Sequence, residues 1–191
     1  MTSPVARDAY REAMSRLGAA VNIITTDGPA GRHGLTASAV CSVTDTPPTL
    51  LVCVNRSAGA HDVLKRNGAL CVNVLAGRHE ALSGDFGRRG VAPEQRFSGG
   101  SWTRLATGAP VLRDAVASLD CRVAQVTEMG THSVFFCVVE GIAAAPMPEG
   151  LIYFNRIYHH LGGGSPQDAT HTIELDRMRS GVRATSTSRA D

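Results

Sequence analysis

Residues 34–58 read GLTASAVCSVTDTPPTLLVCVNRSA, and the fold follows from this stretch. Branched and apolar residues on both sides of Asp45-Thr46-Pro47-Pro48 are typical of β-strands. The two prolines mark a turn, because proline cannot donate a ladder hydrogen bond within a central strand. We therefore expect two strands that pair as an antiparallel hairpin or lie side by side in one sheet.

The first strand of this pair contains side chains that are too small to fill a core. These are Thr36, Ala37, Ser38 and Ala39. Because protein interiors are closely packed, another backbone or a ligand must approach this segment. The strand period of two places Thr36 and Ser38 on the same face. A flat, polar cofactor laid against the backbone would satisfy this pattern.

The second strand leads into a polar segment, Asn55-Arg56-Ser57-Ala58-Gly59, just before a helical pattern over residues 60–67. Side-chain donors, exposed amides and a cation next to a helix start are typical of an anion site. The alternative interpretation is that Ser57 caps the helix while Arg56 is solvated. The neighbouring strand of small residues favours the anion site.

Elsewhere in the chain, strand patterns outnumber helical ones. We expect an N-terminal helix that ends near Leu17, a further helix over 79–86 and a long polar loop over 87–101. The predicted strands cover residues 21–25, 69–75, 118–127, 133–143 and 151–154. Because hairpins connect most of them, the pattern predicts a mainly β, antiparallel barrel with a few short helices.

Composition and charge exclude several classes of protein. A chain of 191 residues with 43% hydrophobic residues fits one domain. Its formal net charge of +2 comes from dispersed charges, which argues against nucleic-acid binding. The sequence contains no run of 18 apolar residues and does not begin as a signal peptide. We therefore expect a cytoplasmic protein without a membrane segment.

The cysteines, histidines and short motifs of the sequence indicate neither a metal site nor one of the common motif-defined catalytic sites. The chain has five cysteines, which form no C-x-x-C pair and lie in apolar runs. We therefore expect all of them to be reduced core residues: Cys41, Cys53, Cys71, Cys121 and Cys137. Adjacent His159 and His160 point opposite ways in an extended chain, without a third ligand nearby in sequence. The Rossmann, P-loop, zinc-protease and α/β-hydrolase motifs are absent.

Five ordered blocks of the sequence resemble the short-chain flavin reductases, the small NADH-dependent partners of two-component flavin monooxygenases. The blocks are AAVNIITTDGPAG (19–31), GLTASAVCSVTDTPPTLLVCVN (34–55), LCVNVL (70–75), GTHSVFFC (130–137) and GLIYFNRIYH (150–159). Within that family the chain is most similar to two branches. One is the reductase of the pyrimidine-ring-opening system, and the other is the reductase of 4-hydroxyphenylacetate hydroxylation.

This resemblance implies a fold and a reaction. The family fold is an antiparallel, Greek-key split β-barrel that binds FMN and dimerises, here over residues 1–161. NADH stacks on the flavin and passes a hydride from nicotinamide C4 to flavin N5. Reduced FMN then diffuses to a flavin-dependent monooxygenase. In the first branch this monooxygenase acts in pyrimidine degradation. In the second branch the reduced flavin, FMN or FAD, would serve an aromatic hydroxylase. A non-catalytic FMN carrier or redox sensor is the alternative from another class.

The resemblance also implies site residues. Those expected to bind flavin are Thr36, Ala37, Ser38, Ala39, Val40, Cys53, Val54, Asn55, Ser57, Ala58, Phe86 and Arg88. His132 matches the family histidine that faces the nicotinamide and is the expected catalytic residue, although a histidine beside a hairpin tip is also typical of a solvated turn. Arg156 and Tyr158 share a face of an extended segment after the last predicted strand, and we expect both to contact NADH.

Residues 162–191 differ in character from the rest of the chain. Gly162-Gly163-Gly164-Ser165-Pro166 is linker-like, and Val182 is the one large apolar residue over 180–191. We expect a linker followed by a disordered tail, with a short strand around Ile173 and Leu175 as the alternative.

Overall fold

The computed structural model describes residues 5–146 and 149–162, and β-strands dominate it. The helices are α1 (Arg7–Ser15), α2 (His61–Asn67), α3 (Glu80–Gly87) and α4 (Pro93–Phe97), with a 3-10 turn over Gly77–His79. The strands are β1 (Ala19–Ala20), β2 (Asn22–Thr26), β3 (His33–Ala37), β4 (Val40–Asp45), β5 (Pro48–Asn55), β6 (Ala69–Val74), β7 (Trp102–Arg104), β8 (Pro110–Leu112), β9 (Ala117–Met129), β10 (His132–Ala144), β11 (Gly150–Phe154) and β12 (Ile157–Leu161). The expected mainly β fold is confirmed. The predictions for the tail beyond residue 162 lie outside the described residues.

Seven strands form one antiparallel sheet in the order β3-β2-β6-β9-β10-β5-β4. Several neighbours in this order are distant in sequence, such as β2 with β6 and β5 with β10, which is typical of Greek-key connections. The two edge strands, β3 and β4, are consecutive in the chain, with only Ser38 and Ala39 between them. The sheet must therefore curl until its edges meet, which forms the barrel.

Two smaller sheets accompany the barrel, one of β1, β11 and β12 and one of β7 and β8. Val21, between β1 and β2, ties the first of them to the barrel. Its N–H donates to the Leu151 carbonyl at 2.9 Å, and its carbonyl accepts from the Leu75 N–H at 3.0 Å. One core cluster lies within the barrel, around Val52 and Phe135, and a second lies around Phe86, Phe97 and Leu151.

The hairpin expected from residues 34–58 forms as β4 and β5, which pair antiparallel across the predicted proline turn. Val52 and Val54 of β5 point into the core and are fully buried. The first run is, however, not one strand. It breaks at Ser38 and Ala39, and β3 pairs with β2 instead of continuing into β4.

Other differences from the sequence-based expectations concern short elements. The polar loop over 87–101 contains α4, which begins with a proline at a position where its missing N–H needs no partner. After β11 the chain turns at Asn155 and Arg156 and returns as β12, a strand we did not predict. None of the helices in the described ranges is long and apolar enough to cross a membrane.

The expectation of five core cysteines is correct for three of them. Cys71, Cys121 and Cys137 are buried, whereas Cys53 is half-buried and Cys41 is exposed. Cys41 is exposed because β4 is an edge strand of the sheet. All five are free thiols, and burial raises the pKa of Cys137 to about 12. The buried thiols therefore stay protonated and unreactive at neutral pH.

Candidate active site

A cavity of about 620 Å³ opens between β3, the β5–α2 loop and the segment after α3. This volume is typical of sites for small molecules and cofactors. Half of the residues expected to bind flavin line it: Thr36, Asn55, Ser57, Ala58, Phe86 and Arg88. Arg89 and Arg96 also line it, so one wall of the cavity carries three cationic side chains.

The β5–α2 loop contributes polar groups to the cavity through a tight turn at Asn55. The Asn55 Oδ1 atom accepts from both the N–H and the hydroxyl of Ser57, each at 2.9 Å. The Asn55 carbonyl accepts from the Ala58 N–H, also at 2.9 Å. Ser57 is thus not the cap of α2, which begins at His61 without a side-chain cap, and that alternative interpretation is wrong.

The opposite wall depends on Arg96, a buried arginine of α4 that sequence reasoning did not single out. Its guanidinium donates to the carbonyls of Asp85, Phe86, Arg88 and Val91. Burial lowers the pKa of Arg96, and the nearby Asp85 acts in the opposite direction. The arginine therefore ties the end of α3 to the loop that carries Arg88 and Arg89, both of which are exposed.

Phe86 borders the cavity but is mainly a core residue. It is 1% exposed, and its ring packs edge-on against Phe97 at 5.1 Å between centroids. It also leaves no room at Gly34, where an added Cβ would lie 2.6 Å from the Phe86 ring. Thr36 is fixed on the same wall, because its hydroxyl donates to the Ser83 carbonyl at 2.6 Å.

The other expected flavin residues do not line this cavity. Ala37 and the fully buried Val54 pack in or against the barrel core, and Val40 and Cys53 are half-buried in the hairpin. Ala39 is exposed, and Ser38 lines a different groove, beside α1. The expectation that Thr36 and Ser38 share a face is wrong, because β3 ends at Ala37 and the strand alternation stops there.

His132 lies in a neighbouring groove of about 800 Å³. It begins β10, directly opposite Asn55 of β5, and its Nδ1 atom lies 2.9 Å from the Thr131 hydroxyl. The groove and the cavity share Asn55 and Ser57 as lining residues. The exposed His132 imidazole is therefore next to the cavity without entering it.

Beneath His132 lies a chain of polar side chains that sequence reasoning missed, in which His61 and Ser133 are buried and Asp62 is exposed. The His61 Nε2 atom is 2.9 Å from the Ser133 hydroxyl, and its Nδ1 atom is 2.7 Å from the Asp62 carboxylate. The hydrogen bond with His61 lowers the pKa of Asp62. Ser133 is completely buried, so these three residues cannot act as a nucleophile, base and acid on a substrate. They hold the start of α2 against the start of β10.

Arg156 and Tyr158 both belong to the β11–β12 hairpin, but the turn ends the strand alternation between them and they do not share a face. Arg156 adopts a positive φ of 62° in the turn and forms an ion pair with Glu12 of α1 at 2.8 Å. Tyr158 lies in β12, where its hydroxyl accepts from the Ser83 hydroxyl at 3.1 Å. Neither residue lines the groove of His132.

The paired histidines after β11 have other partners. His160 lies 2.6 Å from the Glu80 carboxylate, and the His159 ring packs against Phe154. Within residues 5–146 and 149–162, no group of three or more His, Cys, Asp or Glu side chains is arranged to hold a metal ion.

A family model described as "Flavin reductase like domain" matches residues 14–162. The chain belongs to this flavin reductase family. The resemblance drawn from the five sequence blocks is thereby confirmed, and the family match contains all twelve strands of the described residues.

Proteins named as flavin reductases are among the relatives found by sequence and by structure. The FMN reductase (NADH) RutF of Variovorax paradoxus is 63% identical over 153 residues, which is 80% of this chain and 84% of that protein. The solved structure of YcdH from Haemophilus somnus 129PT has a TM-score of 0.79 at 44% identity, covering 82% of this chain and 99% of that one. Nitrilotriacetate monooxygenase component B from Mycobacterium thermoresistibile has a TM-score of 0.76 at 26% identity, covering 84% of this chain and 90% of that one.

The cavity has the chemistry that a flavin of this family needs. Small side chains at Ala58 and Gly59 leave the loop backbone open to a ring or sugar chain. The hydroxyl of Ser57 and the guanidinium groups of Arg88 and Arg89 suit a phosphate, which arginine binds with paired hydrogen bonds. The residues present therefore fit FMN.

Proposed function

We propose that this flavin reductase is an NADH:FMN oxidoreductase that supplies reduced FMN to a partner flavin-dependent monooxygenase. One observation carries the proposal: the cationic cavity meets the groove of His132 at Asn55 and Ser57. Two ligands can thus lie side by side, one in each site. The high identity to a protein named FMN reductase (NADH) supports FMN and NADH as that pair.

In this proposal the cavity residues bind and orient the flavin, whose ring accepts the hydride when bound. Arg88 and Arg89 neutralise the phosphate, while Asn55 and Ser57 contribute hydrogen bonds at the junction with the groove. Arg96 keeps the cationic loop in place without reaching the ligand itself. Thr36 closes the wall that faces α3.

His132 acts on the nicotinamide side of the junction. Its ring nitrogens can hydrogen-bond the carboxamide or a phosphate, or hold a proton near the flavin. Asn55 on the paired strand and Thr131 next to it restrict where the imidazole lies. Arg156 and Tyr158, which lie elsewhere, are not part of this proposal.

The place of the reaction in metabolism and the assembly of the protein are also proposed. The RutF relatives support the pyrimidine-ring-opening branch. We further propose that residues 1–161 form the catalytic domain and that the protein acts in the cytoplasm. A homodimer is supported by large apolar side chains that are exposed in the single chain: Tyr10, Met14, Leu17, Val43, Met129, Ile142, Tyr153, Phe154, Ile157 and Leu161.

Anaerobic stopped-flow measurement with NADH and an excess of FMN tests the activity. We expect bleaching of many equivalents of FMN per chain, faster than with FAD at equal concentration. A carrier or redox sensor would bleach no more than one equivalent, and that result would contradict the proposal. For the branch, we expect sustained pyrimidine consumption when this reductase is coupled to a pyrimidine-ring-opening monooxygenase. We expect no matching support of a 4-hydroxyphenylacetate hydroxylase.

A further inference from the structure

The groove of His132 is strongly basic, and its charge comes from three separate elements. Arg7 and Arg11 project from α1, Arg56 follows β5, and Lys65 lies on α2. Two carboxylates, Asp62 and Glu128, also line the groove. Four cations against two carboxylates leave a formal excess of two positive charges.

Part of this charge is already paired, and part is available. Glu128 lies 3.3 Å from Arg56 and 3.2 Å from Lys65, which together make one side of the groove a fixed ion-pair network. Within the part of the chain that the structure describes, Arg11 has only Asp8 as an ion-pair partner, at 4.0 Å and well exposed, and such surface pairs contribute little. Arg7 pairs with no carboxylate among the described residues. The two arginines of α1 are therefore the cations free to meet a ligand.

The helix that carries these arginines is attached to the rest of the protein by polar contacts and not by packing against the core. The helix α1 buries no side chain. It is anchored instead at its C-terminal half, where the Asn155 N–H donates to the Ser15 carbonyl and Arg156 pairs with Glu12. Asn155 and Arg156 both adopt positive φ, which is unfavourable for arginine, so the hairpin turn is strained at the point that contacts α1.

Arg7 and Arg11 lie one helical turn apart on the same face. Such a pair suits two adjacent phosphates better than a single small anion, and the two positive charges match the charge of a diphosphate. The groove has one continuation that fits a dinucleotide, since it shares Asn55 and Ser57 with the cavity proposed for flavin. Most of α1 precedes the family match, which begins at residue 14.

We propose that Arg7 and Arg11 form a diphosphate-binding subsite, and that it holds the diphosphate of NADH while the nicotinamide end lies at His132. This inference rests on the proposed function for the identity of the dinucleotide. A diphosphate also occurs in FAD, so the experiment must separate these two sources.

Calorimetric titration of the full chain with ADP tests the subsite without any reaction. The Arg7→Ala/Arg11→Ala double variant should bind ADP at least tenfold more weakly than the wild-type chain, with the same affinity for FMN. Arg16→Ala removes an arginine from the end of the same helix, outside the groove, and should leave ADP affinity unchanged. Equal ADP affinity in the double variant and the wild type, or no ADP binding at millimolar concentration, would overturn the proposal.

Steady-state kinetics then identify the source of the diphosphate. With saturating FMN, the double variant should raise the KM for NADH at least tenfold. The efficiency with 1-benzyl-1,4-dihydronicotinamide, a hydride donor without phosphate, should change less than twofold. If the double variant binds FAD more weakly but keeps the wild-type KM for NADH, the subsite belongs to the flavin and the proposal is overturned. If neither donor reduces flavin even with the wild-type chain, the proposed function fails, while the ADP titration still decides whether the subsite exists.

Discussion

Replacing Arg96 with Ala should destabilise the protein and weaken FMN binding together. The side chain is 6% exposed, and it donates to four backbone carbonyls that surround the end of α3. Each hydrogen bond from a charged group contributes about 1.5–3 kcal/mol to stability. The sum overstates the effect, because the substitution also removes the cost of burying a cation, and water can reach the carbonyls of the exposed loop. We expect a net loss of about 2–4 kcal/mol in the free energy of unfolding.

Urea unfolding can follow this change through Trp102, the only tryptophan of the chain. Its ring lies 4.9 Å from that of Phe97, the residue after Arg96, so its fluorescence reports on the same cluster. FMN affinity, measured by flavin fluorescence where the variant is folded, should fall at least tenfold, since Arg88 and Arg89 lose their support. The Arg96→Lys variant keeps the charge, but a lysine cannot reach four carbonyls. Its stability and FMN affinity should therefore be closer to those of Arg96→Ala than to those of the wild type.

Arg113→Ala is the matched control, because Arg113 is an exposed arginine that does not line the cavity. It should change the free energy of unfolding by no more than about 0.5 kcal/mol. The reasoning is refuted if Arg96→Ala loses less than about 1 kcal/mol and binds FMN normally. A stable Arg96→Lys variant with normal affinity would show that charge alone matters, not the fork of hydrogen bonds.

Three further predictions concern His132, the thiols and acid stability. His132→Ala should slow flavin reduction or raise the KM for NADH at least tenfold, about 1.4 kcal/mol, with FMN affinity nearly unchanged; unaltered stopped-flow rates would remove His132 from the site. A thiol reagent at neutral pH should modify the exposed Cys41 first. The three buried thiols should react only on unfolding, because burial raises their pKa values. Early modification of a buried thiol would contradict the packing described. Lys65 and Arg56 lower the pKa of Glu128, so this carboxylate stabilises the fold above its unfolded pKa of about 4.5, and the contribution is lost as pH falls through the lower folded pKa. Glu128→Gln should therefore flatten the acid limb of the stability-against-pH curve, and an unchanged limb would show that the ion pairs contribute nothing.

Much of the candidate site could be predicted from the sequence, and the failures have identifiable causes. Asn55 and Ser57 were predictable, because a polar turn at the end of an apolar strand is a local signal. Ser38 was misplaced because the period-two rule holds only while a strand continues, and the strand ends one residue earlier. Arg96 gave no signal, since its partners are backbone carbonyls, which every residue has.

The sequence by itself determined most of the longer strands, the proline turn between β4 and β5 and the family, because alternation, turn chemistry and motif order are properties of short segments. The tertiary structure alone decided which of these segments meet. The contact of His61 with Ser133, 72 residues away, depends on the register of β5 with β10. The placement of Arg7 and Arg11 above His132 depends on a hairpin turn at Asn155, far along the chain. Such contacts result from how the whole sheet closes, and no local pattern encodes them.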